Sequence, residues 1–260
     1  MCEMLGISAK RRREANATLR EFFSHAERHP HGWGLARFGD GDGAAPDIEK
    51  EPVKATASET LRRILDEPIA ERTILAHIRF ATVGTMEYAN CHPFTGTDNS
   101  GRVWTLVHNG TIFAGASLND YMGLQFGETD SERVLLHLIA RIDRAQIRLG
   151  RPLTEEERFA VLSSAIGALA KGNKLNLLVY DGEVMYAHVN FRGSLHFLEE
   201  DGVVTFSTNP LSHGDWKPVP FTRLVAVKDG EFVREGTSHG NEYVYNPEDY
   251  RFVYMNFARL

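Results

Sequence analysis

Apolar positions along the chain fall into many short runs and a few longer stretches with helical spacing. The short runs predict strands at residues 4–7, 32–38, 73–80, 103–107, 175–180, 184–189, 195–198, 203–207 and 224–227, and residues 48–53 also have an extended pattern. The helical spacing predicts helices at residues 15–28 and 58–66, and two longer helices that begin at Thr129 and Thr154. Strands, then two central helices, then more strands predict a layered α+β sandwich.

The two longer helices carry sequence signals at their first turns. Thr129-Asp130-Ser131-Glu132 is a capping-box pattern, and the second helix opens with Thr154-Glu155-Glu156-Glu157. Their apolar faces are expected to be buried, and these faces comprise Val134, Leu135, Leu138, Ile139, Ile142, Leu162, Ala165, Ile166 and Leu169. Between the elements, the pattern predicts a turn-rich loop at residues 39–47, a polar loop at 95–102 and a solvated cationic loop at 10–13.

Composition narrows the class of protein. The 260 residues are 42% hydrophobic and carry a formal net charge of -6. These values predict one domain over residues 1–260, and they disfavour nucleic acid or an anionic membrane as a partner because both need a basic surface. The apolar runs are too short to span a bilayer. Two cysteines, Cys2 and Cys91, cannot form a disulfide framework, and no secretory leader is recognised, so we expect a cytoplasmic protein.

Cys2 becomes the first residue if the initiator methionine is removed, and it then carries both a thiol and a free amine. An α-amine has an ordinary pKa of about 7.7–8.0 and a thiol one of about 8.5, so the amine can accept the thiol proton near neutral pH. This arrangement is typical of N-terminal nucleophiles. On this residue alone, a small buried apolar cysteine is the simpler interpretation.

Three further features have both a structural and a chemical interpretation. Arg79, at the end of a predicted strand, needs an anionic partner, for which a structural carboxylate is favoured over a ligand carboxylate. Asn109-Gly110 follows an apolar strand as a hairpin turn does, yet its side-chain amide and glycine N–H are also two adjacent donors suited to an oxyanion. Asp130 in the first turn of a helix is explained by the helix dipole alone.

Taken together, these features supply a nucleophile, oxyanion donors and charged groups for one zwitterionic amide. The sequence resembles a class II glutamine amidotransferase domain, an N-terminal-nucleophile hydrolase, and it is most similar to the stand-alone YafJ-like group. The resemblance covers roughly the first half of the chain. It rests on Met1-Cys2-Glu3, His31-Gly32-Trp33-Gly34, Ala76-His77-Ile78-Arg79-Phe80-Ala81-Thr82, Asn90-Cys91-His92-Pro93-Phe94, His108-Asn109-Gly110 and Thr129-Asp130-Ser131-Glu132.

The resemblance implies a four-layer αββα sandwich with two mainly antiparallel sheets. It implies that the Cys2 thiol attacks the side-chain carbonyl of glutamine while its α-amine moves the proton, leaving a γ-glutamyl thioester. Asn109 and Gly110 are the implied oxyanion donors. Arg79 and Asp130 are the implied partners of the substrate α-carboxylate and α-ammonium.

Other positions are assigned less directly by the resemblance. Thr82 is expected near the substrate carboxylate, and Phe80 is expected to be a substrate-binding residue. The family often has Trp where this chain has Phe80 and His where it has Val83, which bears on the shape of the glutamine pocket. Candidate residues at the rim of the site are His31, Trp33 and His108. No cofactor or metal is expected, because the closely spaced histidines lack an H-E-x-x-H frame or paired cysteines, and no glycine-rich nucleotide loop follows a strand.

Three functions remain open within this resemblance. The protein is either a glutaminase subunit that passes ammonia to a synthase partner, or a free-standing amidohydrolase acting on glutamine or a γ-glutamyl conjugate. The third possibility is a binding protein that keeps the fold without catalysis. The presence of Cys2, Arg79, Asn109, Gly110 and Asp130 disfavours this third interpretation.

Overall fold

The computed structural model of the protein describes residues 2–39, 45–81, 84–212 and 214–248. Its strands are β1 (Glu3–Glu14), β2 (Trp33–Phe38), β3 (Asp47–Glu51), β4 (Ala70–Ile78), β5 (Phe94–Thr97), β6 (Val103–His108), β7 (Leu177–Tyr180), β8 (Met185–His188), β9 (His196–Glu200), β10 (Val203–Ser207), β11 (Lys217–Pro218), β12 (Leu224–Lys228) and β13 (Glu231–Glu235). Its α-helices are α1 (Asn16–Ser24), α2 (Glu59–Asp66), α3 (Asp130–Leu149) and α4 (Glu155–Leu169). Short 3₁₀ segments occupy His25–Arg28, Ala55–Ala57, Tyr88–Asn90 and Ala116–Tyr121.

Two antiparallel sheets form the centre of the molecule. The first sheet has the strand order β11-β9-β10-β1-β4-β2-β3, and the second has the order β13-β12-β8-β7-β6-β5. Helices α1 and α2 pack on the outer face of the first sheet, and α3 and α4 pack on the outer face of the second. The protein is therefore an α+β sandwich of four layers, as expected from the resemblance.

Alternation along β4 shows how the layers are assigned. Ile74, Ala76 and Ile78 belong to the core beneath α1 and α2, whereas Leu75 belongs to the core between the sheets. His77 has the same parity as Leu75 and is also buried. The strand therefore places the His77 side chain between the two sheets, two residues before Arg79.

Capping residues fix where the two long helices begin. The Thr129 side chain accepts a hydrogen bond from the Glu132 N–H at 3.3 Å, while the Glu132 carboxylate binds the N–H groups of Phe126 and Gly127. Thr154 and Glu157 form a complete capping box at the start of α4. Asp130 therefore occupies a defined position at the first turn of α3.

The structure corrects several sequence predictions. The cationic block at residues 10–13 is the exposed end of β1 rather than a loop, because β1 continues beyond Ser8 to pair with β4 across a register shift. The polar segment 95–102 contains β5, which pairs with β6 at the edge of the second sheet. Strands β11 and β13 lack a strong apolar pattern because they too are edge strands.

Some predictions fall outside the described residues. Met1, Thr82 and Val83 lie there, as do most of the predicted loop at 39–47 and the C-terminal residues 249–260. Among the described residues, no helix combines the length and apolar character that a bilayer crossing needs.

Candidate active site

Cys2 lies directly before β1, against the end of β4. Its Sγ is 3.3 Å from both the backbone N and the backbone O of Phe80, so the Phe80 N–H can donate to the sulfur. Met4, two residues after Cys2, is bound by Thr208. The Met4 N–H donates to the Thr208 hydroxyl at 3.0 Å, and the Met4 carbonyl accepts from the Thr208 N–H. Backbone pairing on both sides therefore holds the thiol in place.

The environment of Cys2 acts on its thiol in two directions. Burial raises the pKa of Cys2, while the Phe80 backbone and the positive charges of Arg79 and Lys174 oppose that rise. The thiol is therefore predominantly protonated at neutral pH, and it needs a base to become a nucleophile.

The His31-Gly32-Trp33-Gly34 motif supports the end of β4. The His31 Nδ1 accepts the Ala81 N–H at 2.9 Å, and the His31 ring packs against Phe80 with centroids 5.2 Å apart. Gly32 has a φ of 143°, and a Cβ there would lie 2.7 Å from the Cys91 sulfur. His31 therefore positions the segment that contacts Cys2. Trp33 instead packs on Phe23 in the core beneath α1.

Arg79 is 2% exposed, and its guanidinium donates to backbone carbonyls. One terminal nitrogen donates to the Thr85 carbonyl at 3.0 Å and the other to the Gly84 carbonyl at 3.1 Å. Burial lowers the pKa of Arg79, and the acidic groups of Cys2, Cys91, Asp130 and Glu128 oppose this effect. Backbone contacts therefore fix the orientation of a buried cation close to the thiol.

Asn109 and Gly110 leave β6 at its C-terminal end. The Asn109 N–H donates to the Asn176 carbonyl at 2.8 Å, and the Lys174 Nζ donates to the Asn109 Oδ1 at 3.0 Å. Because a lysine can only donate, this contact identifies the oxygen of the amide and leaves Nδ2 on the other side. The Asn109 Nδ2 is buried and has no hydrogen-bond partner among the described residues.

Gly110 is required by the close packing around it. A Cβ there would collide with the Lys174 carbonyl oxygen and with the His108 ring. The neighbouring Thr111 pairs with Lys174 through both backbone groups. The Gly110 N–H has no acceptor among the described residues. Two adjacent N–H donors, from Gly110 and Asn109, are thus left without acceptors.

Asp130 lies at the start of α3 and is buried. Its Oδ2 accepts the Ile112 N–H at 2.9 Å, and its Oδ1 accepts the Ser131 hydroxyl at 3.4 Å. The Asp130 charge acts on Arg79 electrostatically. The structure therefore brings a buried carboxylate and a buried guanidinium into one region.

Three buried histidines lie behind these residues. The His77 Nε2 donates to the His108 carbonyl at 3.2 Å, and the His92 ring packs 3.9 Å from the His77 ring. Burial lowers the pKa of His77 to about 3 and that of His108 to about 4, and it lowers the pKa of His92 well below its ordinary value. All three rings are therefore neutral at neutral pH.

The structure brings most of the predicted site residues together. Electrostatic and hydrogen-bond contacts connect Cys2, Phe80, Arg79, Asn109 and Asp130 through Lys174 and the end of β4. His31 and His108 adjoin this group, Trp33 does not, and Thr82 lies outside the described residues. No group of three or more histidine, cysteine, aspartate or glutamate side chains in the described ranges could hold a metal ion.

Lys174 is the residue that sequence reasoning missed. It precedes the apolar run of β7, and nothing in the local pattern separates a buried lysine there from a solvated one. His77 and His92 were contained in the quoted motifs but were assigned no place in the site. Alternation in the predicted strand at 73–80 could have indicated that His77 lies between the sheets.

Comparison with known proteins agrees with the resemblance on which the candidate site was predicted. The family model described as glutamine amidotransferases class-II matches residues 1–200. The Escherichia coli K12 protein YafJ is 30% identical over 76% of this chain and 76% of its own length. Beyond residue 200, β10 and β11 belong to the first sheet and β12 and β13 to the second.

Solved structures share the same fold. The crystal structure of a predicted glutamine amidotransferase from Pseudomonas aeruginosa has a TM-score of 0.61 and 21% identity, covering 90% of this chain and 100% of that one. Glutamine phosphoribosylpyrophosphate amidotransferase from B. subtilis has a TM-score of 0.65 and 16% identity, covering 89% of this chain and 48% of that one. The chain therefore belongs to the class II glutamine amidotransferases, a family of enzymes with the N-terminal-nucleophile fold.

Proposed function

We propose that this protein hydrolyses the side-chain amide of glutamine, or of a γ-glutamyl compound, through a thioester on Cys2. The observation that carries the proposal is the buried Asn109 Nδ2, which has no hydrogen-bond partner among the described residues. An unsatisfied buried donor costs free energy, so it is retained where a ligand supplies the acceptor. In a site that contains a half-buried thiol, the matching acceptor is the oxyanion of a tetrahedral intermediate.

The reaction begins with proton transfer from the Cys2 thiol to the Cys2 α-amine. The sulfur then bonds to the amide carbon, and the carbonyl oxygen becomes an oxyanion bound by Asn109 Nδ2 and the Gly110 N–H. Collapse of this intermediate breaks the C–N bond, and the α-ammonium returns its proton to the leaving ammonia. Water, deprotonated by the same amine, then cleaves the thioester to release glutamate and the thiol. This scheme requires removal of Met1, because the α-amine of Cys2 is otherwise part of a peptide bond.

Recognition of the amino-acid end of the substrate is assigned to Arg79 and Asp130. The guanidinium of Arg79 matches the α-carboxylate, and the carboxylate of Asp130 matches the α-ammonium. Both groups are buried and held by backbone contacts, so they are oriented before substrate binds. Such a clamp rejects simple amides that lack these charges. Thr82 stays a predicted neighbour of the carboxylate, and Phe80 stays a predicted substrate-binding residue.

The same chemistry also permits transfer of the released ammonia to a synthase partner. A glutaminase that serves a partner is expected to hydrolyse glutamine slowly when alone, whereas a free-standing amidohydrolase is active without a partner. Steady-state assays with glutamine and with γ-glutamyl amides, on the isolated protein, separate these two cases.

The proposed chemistry is tested by intact mass before and after incubation with 6-diazo-5-oxo-norleucine, a glutamine mimic that alkylates catalytic thiols. We expect a mass that lacks one methionine and gains one adduct. The Cys2→Ala variant should gain no adduct and hydrolyse no glutamine. Cys91→Ala is the matched control, because Cys91 is the other cysteine and burial raises the pKa of its thiol as well, and this variant should be labelled normally. Retention of Met1 without an adduct, or turnover by Cys2→Ala, would refute the proposal.

A further inference from the structure

Lys174 is a buried lysine that the mechanism above does not use. Its side chain is 1% exposed, although burying an ammonium group is costly. Its backbone pairs with Thr111 in both directions, at 2.9 and 3.2 Å, so the chain at this point is fixed beside Gly110. A buried charge at a fixed position is expected to have a specific partner.

The contacts of Lys174 lie on the oxyanion side of the site. Its Nζ donates to the Asn109 Oδ1 at 3.0 Å and lies 5.3 Å from the centre of the Phe191 ring. Burial lowers the pKa of Lys174 to about 8, and the Cys2 thiol opposes this shift. The ammonium form therefore still predominates at neutral pH, where it makes a charge-assisted hydrogen bond to the amide.

This hydrogen bond determines what Asn109 can offer to a substrate. A primary amide can rotate by half a turn and exchange its oxygen and nitrogen positions. With an ammonium group at one side, only the orientation with Oδ1 toward Lys174 is favourable, and Nδ2 is then kept on the opposite side. The positive charge also polarises the amide, which strengthens the N–H groups as donors.

We propose that Lys174 is a positioning residue that orients and polarises the Asn109 side chain as an oxyanion donor. The proposal rests on the function proposed above, because it assigns Lys174 an effect on the same step. It acts through Asn109, so its effect appears after substrate binds. Substrate affinity, which is assigned to Arg79 and Asp130, should be nearly independent of Lys174.

The first test compares Lys174→Met, Lys174→Gln and the wild type in steady-state glutamine hydrolysis. Methionine keeps an unbranched chain of similar length and removes the ammonium group, so the fold should be retained. We expect kcat to fall about 10- to 100-fold in Lys174→Met, which is less than the loss of about 10²- to 10³-fold typical of one missing oxyanion donor, because Asn109 itself is retained. KM should change by less than about threefold, as expected for an interaction made only in the transition state. Lys174→Gln, which keeps a neutral N–H donor, should give an intermediate kcat.

The matched control is Lys171→Met, because Lys171 lies three residues away and is exposed. This variant should retain wild-type kcat and KM. Thermal unfolding and alkylation of Cys2 by 6-diazo-5-oxo-norleucine verify that each variant is folded and carries a mature thiol. A Lys174→Met protein that is folded and labelled yet retains wild-type kcat would overturn the assignment, and so would a loss confined to KM.

A double-mutant cycle then tests whether Lys174 acts through Asn109. If it does, Lys174→Met should cause no further loss of kcat in an Asn109→Ala background. If the fold-loss of kcat in the double variant equalled the product of the two single losses, Lys174 would act independently of Asn109, and the proposal would be overturned. Failure of the wild type to hydrolyse glutamine or bind the alkylating agent would overturn the proposed function together with this inference. An active wild type with an unaffected Lys174→Met variant would overturn the inference alone.

Discussion

Two buried polar clusters lie at opposite ends of the β6–β7 pair, and they differ in how their atoms are paired. In this pair His108 is opposite Leu177, and Thr105 is opposite Tyr180. The candidate site follows His108. The other cluster, which we call the paired cluster, follows Tyr180 and consists of Arg158, Asp181, Glu183 and Tyr186.

In the paired cluster every charge has a partner. Arg158, 3% exposed, donates to Asp181 and to Glu183, each at 2.7 Å. The Tyr186 hydroxyl donates to Asp181 at 2.9 Å, and the N–H groups of Glu183 and Val184 donate to the other Asp181 oxygen. No side-chain nitrogen or oxygen of these four cluster residues is buried without a partner. The arrangement is therefore that of a structural ion pair.

In the candidate site, several buried polar atoms have no hydrogen-bond partner among the residues that the structure describes. They include the Asn109 Nδ2, the His77 Nδ1, the His108 Nε2 and both ring nitrogens of His92. Both clusters are buried, so burial does not distinguish them. Between these two clusters the difference lies in hydrogen-bond satisfaction, which favours a structural role for the paired cluster and supports the proposed ligand-binding role of the candidate site.

The largest expected effect on stability comes from breaking the paired cluster. Arg158→Met removes the nearer counter-charge of the buried Asp181, at 2.7 Å, and leaves only Arg102 at 3.7 Å, so we expect the free energy of unfolding to fall by up to about 3–5 kcal/mol. Activity per folded molecule should be unchanged, because the cluster is remote from Cys2. Urea unfolding, with active sites counted by alkylation, measures both quantities.

Two variants serve as controls for this prediction. Arg151→Met removes an exposed arginine that is paired with Glu157, so it should have little effect on stability. Arg158→Met combined with Asp181→Asn removes both charges but keeps an oxygen acceptor for the donors around Asp181, so it should recover part of the lost stability. If Arg158→Met lowered kcat per active site, the separation of the two clusters would be wrong.

A substitution in the candidate site is expected to lower activity and to leave the free energy of unfolding nearly unchanged. Asn109→Asp keeps the shape of the side chain and an oxygen for Lys174, but it replaces the Nδ2 donor with a negatively charged acceptor. We expect kcat to fall by at least about 10²- to 10³-fold. The urea midpoint should stay close to that of the wild type, because the contact with Lys174 is retained as an ion pair. Asn119→Asp, at an exposed position, adds the same charge and should leave kcat unchanged.

The residues of the candidate site were easier to single out from the sequence than those of the paired cluster. Cys2, Arg79, Asn109 and Asp130 occur in short motifs whose residue types suggest a chemistry, and the structure brings them together. Arg158 is one charged residue among several at the start of α4, and its partner Asp181 lies 23 positions away. Nothing local indicates that this arginine is buried. Pairing across such distances depends on the docking of α4 on the second sheet.

The predicted elements show a similar limit. Strands with continuous apolar runs, such as β4 and β7, were predicted correctly. Their side chains are buried on both faces of the sheet over most of their length, so both faces are apolar in the sequence. Edge strands such as β5 and β13 carry alternating polar residues and were missed. Lys174 was missed for the same reason as Arg158, since its burial follows from packing against Asn109 and Phe191 rather than from its neighbours in sequence.

A smaller effect, on the pH dependence of stability, sharpens the comparison further. His92 packs between His77 and Phe94, with ring centroids 3.9 and 4.6 Å away, and its pKa is held well below its ordinary value by burial. Its folded-state pKa is thus lower than its unfolded-state pKa of about 6.5, so the unfolded chain binds more protons as the pH falls below that value. The free energy of unfolding is therefore unaffected by this histidine above about pH 6.5. Below that pH it falls by up to about 1.4 kcal/mol per pH unit for each such histidine.

Replacing His92 isolates its share of this acid sensitivity. Between pH 6 and pH 5, His92→Leu should lose about 1 kcal/mol less free energy of unfolding than the wild type does, because its unfolded chain has one fewer proton to bind. Phe94→Leu changes the same packing without a titratable group, so it should lower stability equally at both pH values. Although burial opposes them, Lys228 and Arg158 hold the pKa of Glu183 below its ordinary value, so this carboxylate of the paired cluster stays ionised over that interval. A His92→Leu protein with the same pH dependence as the wild type would mean that His92 is not held neutral by the fold, and the contrast between the two clusters would then rest on Asn109, His77 and His108.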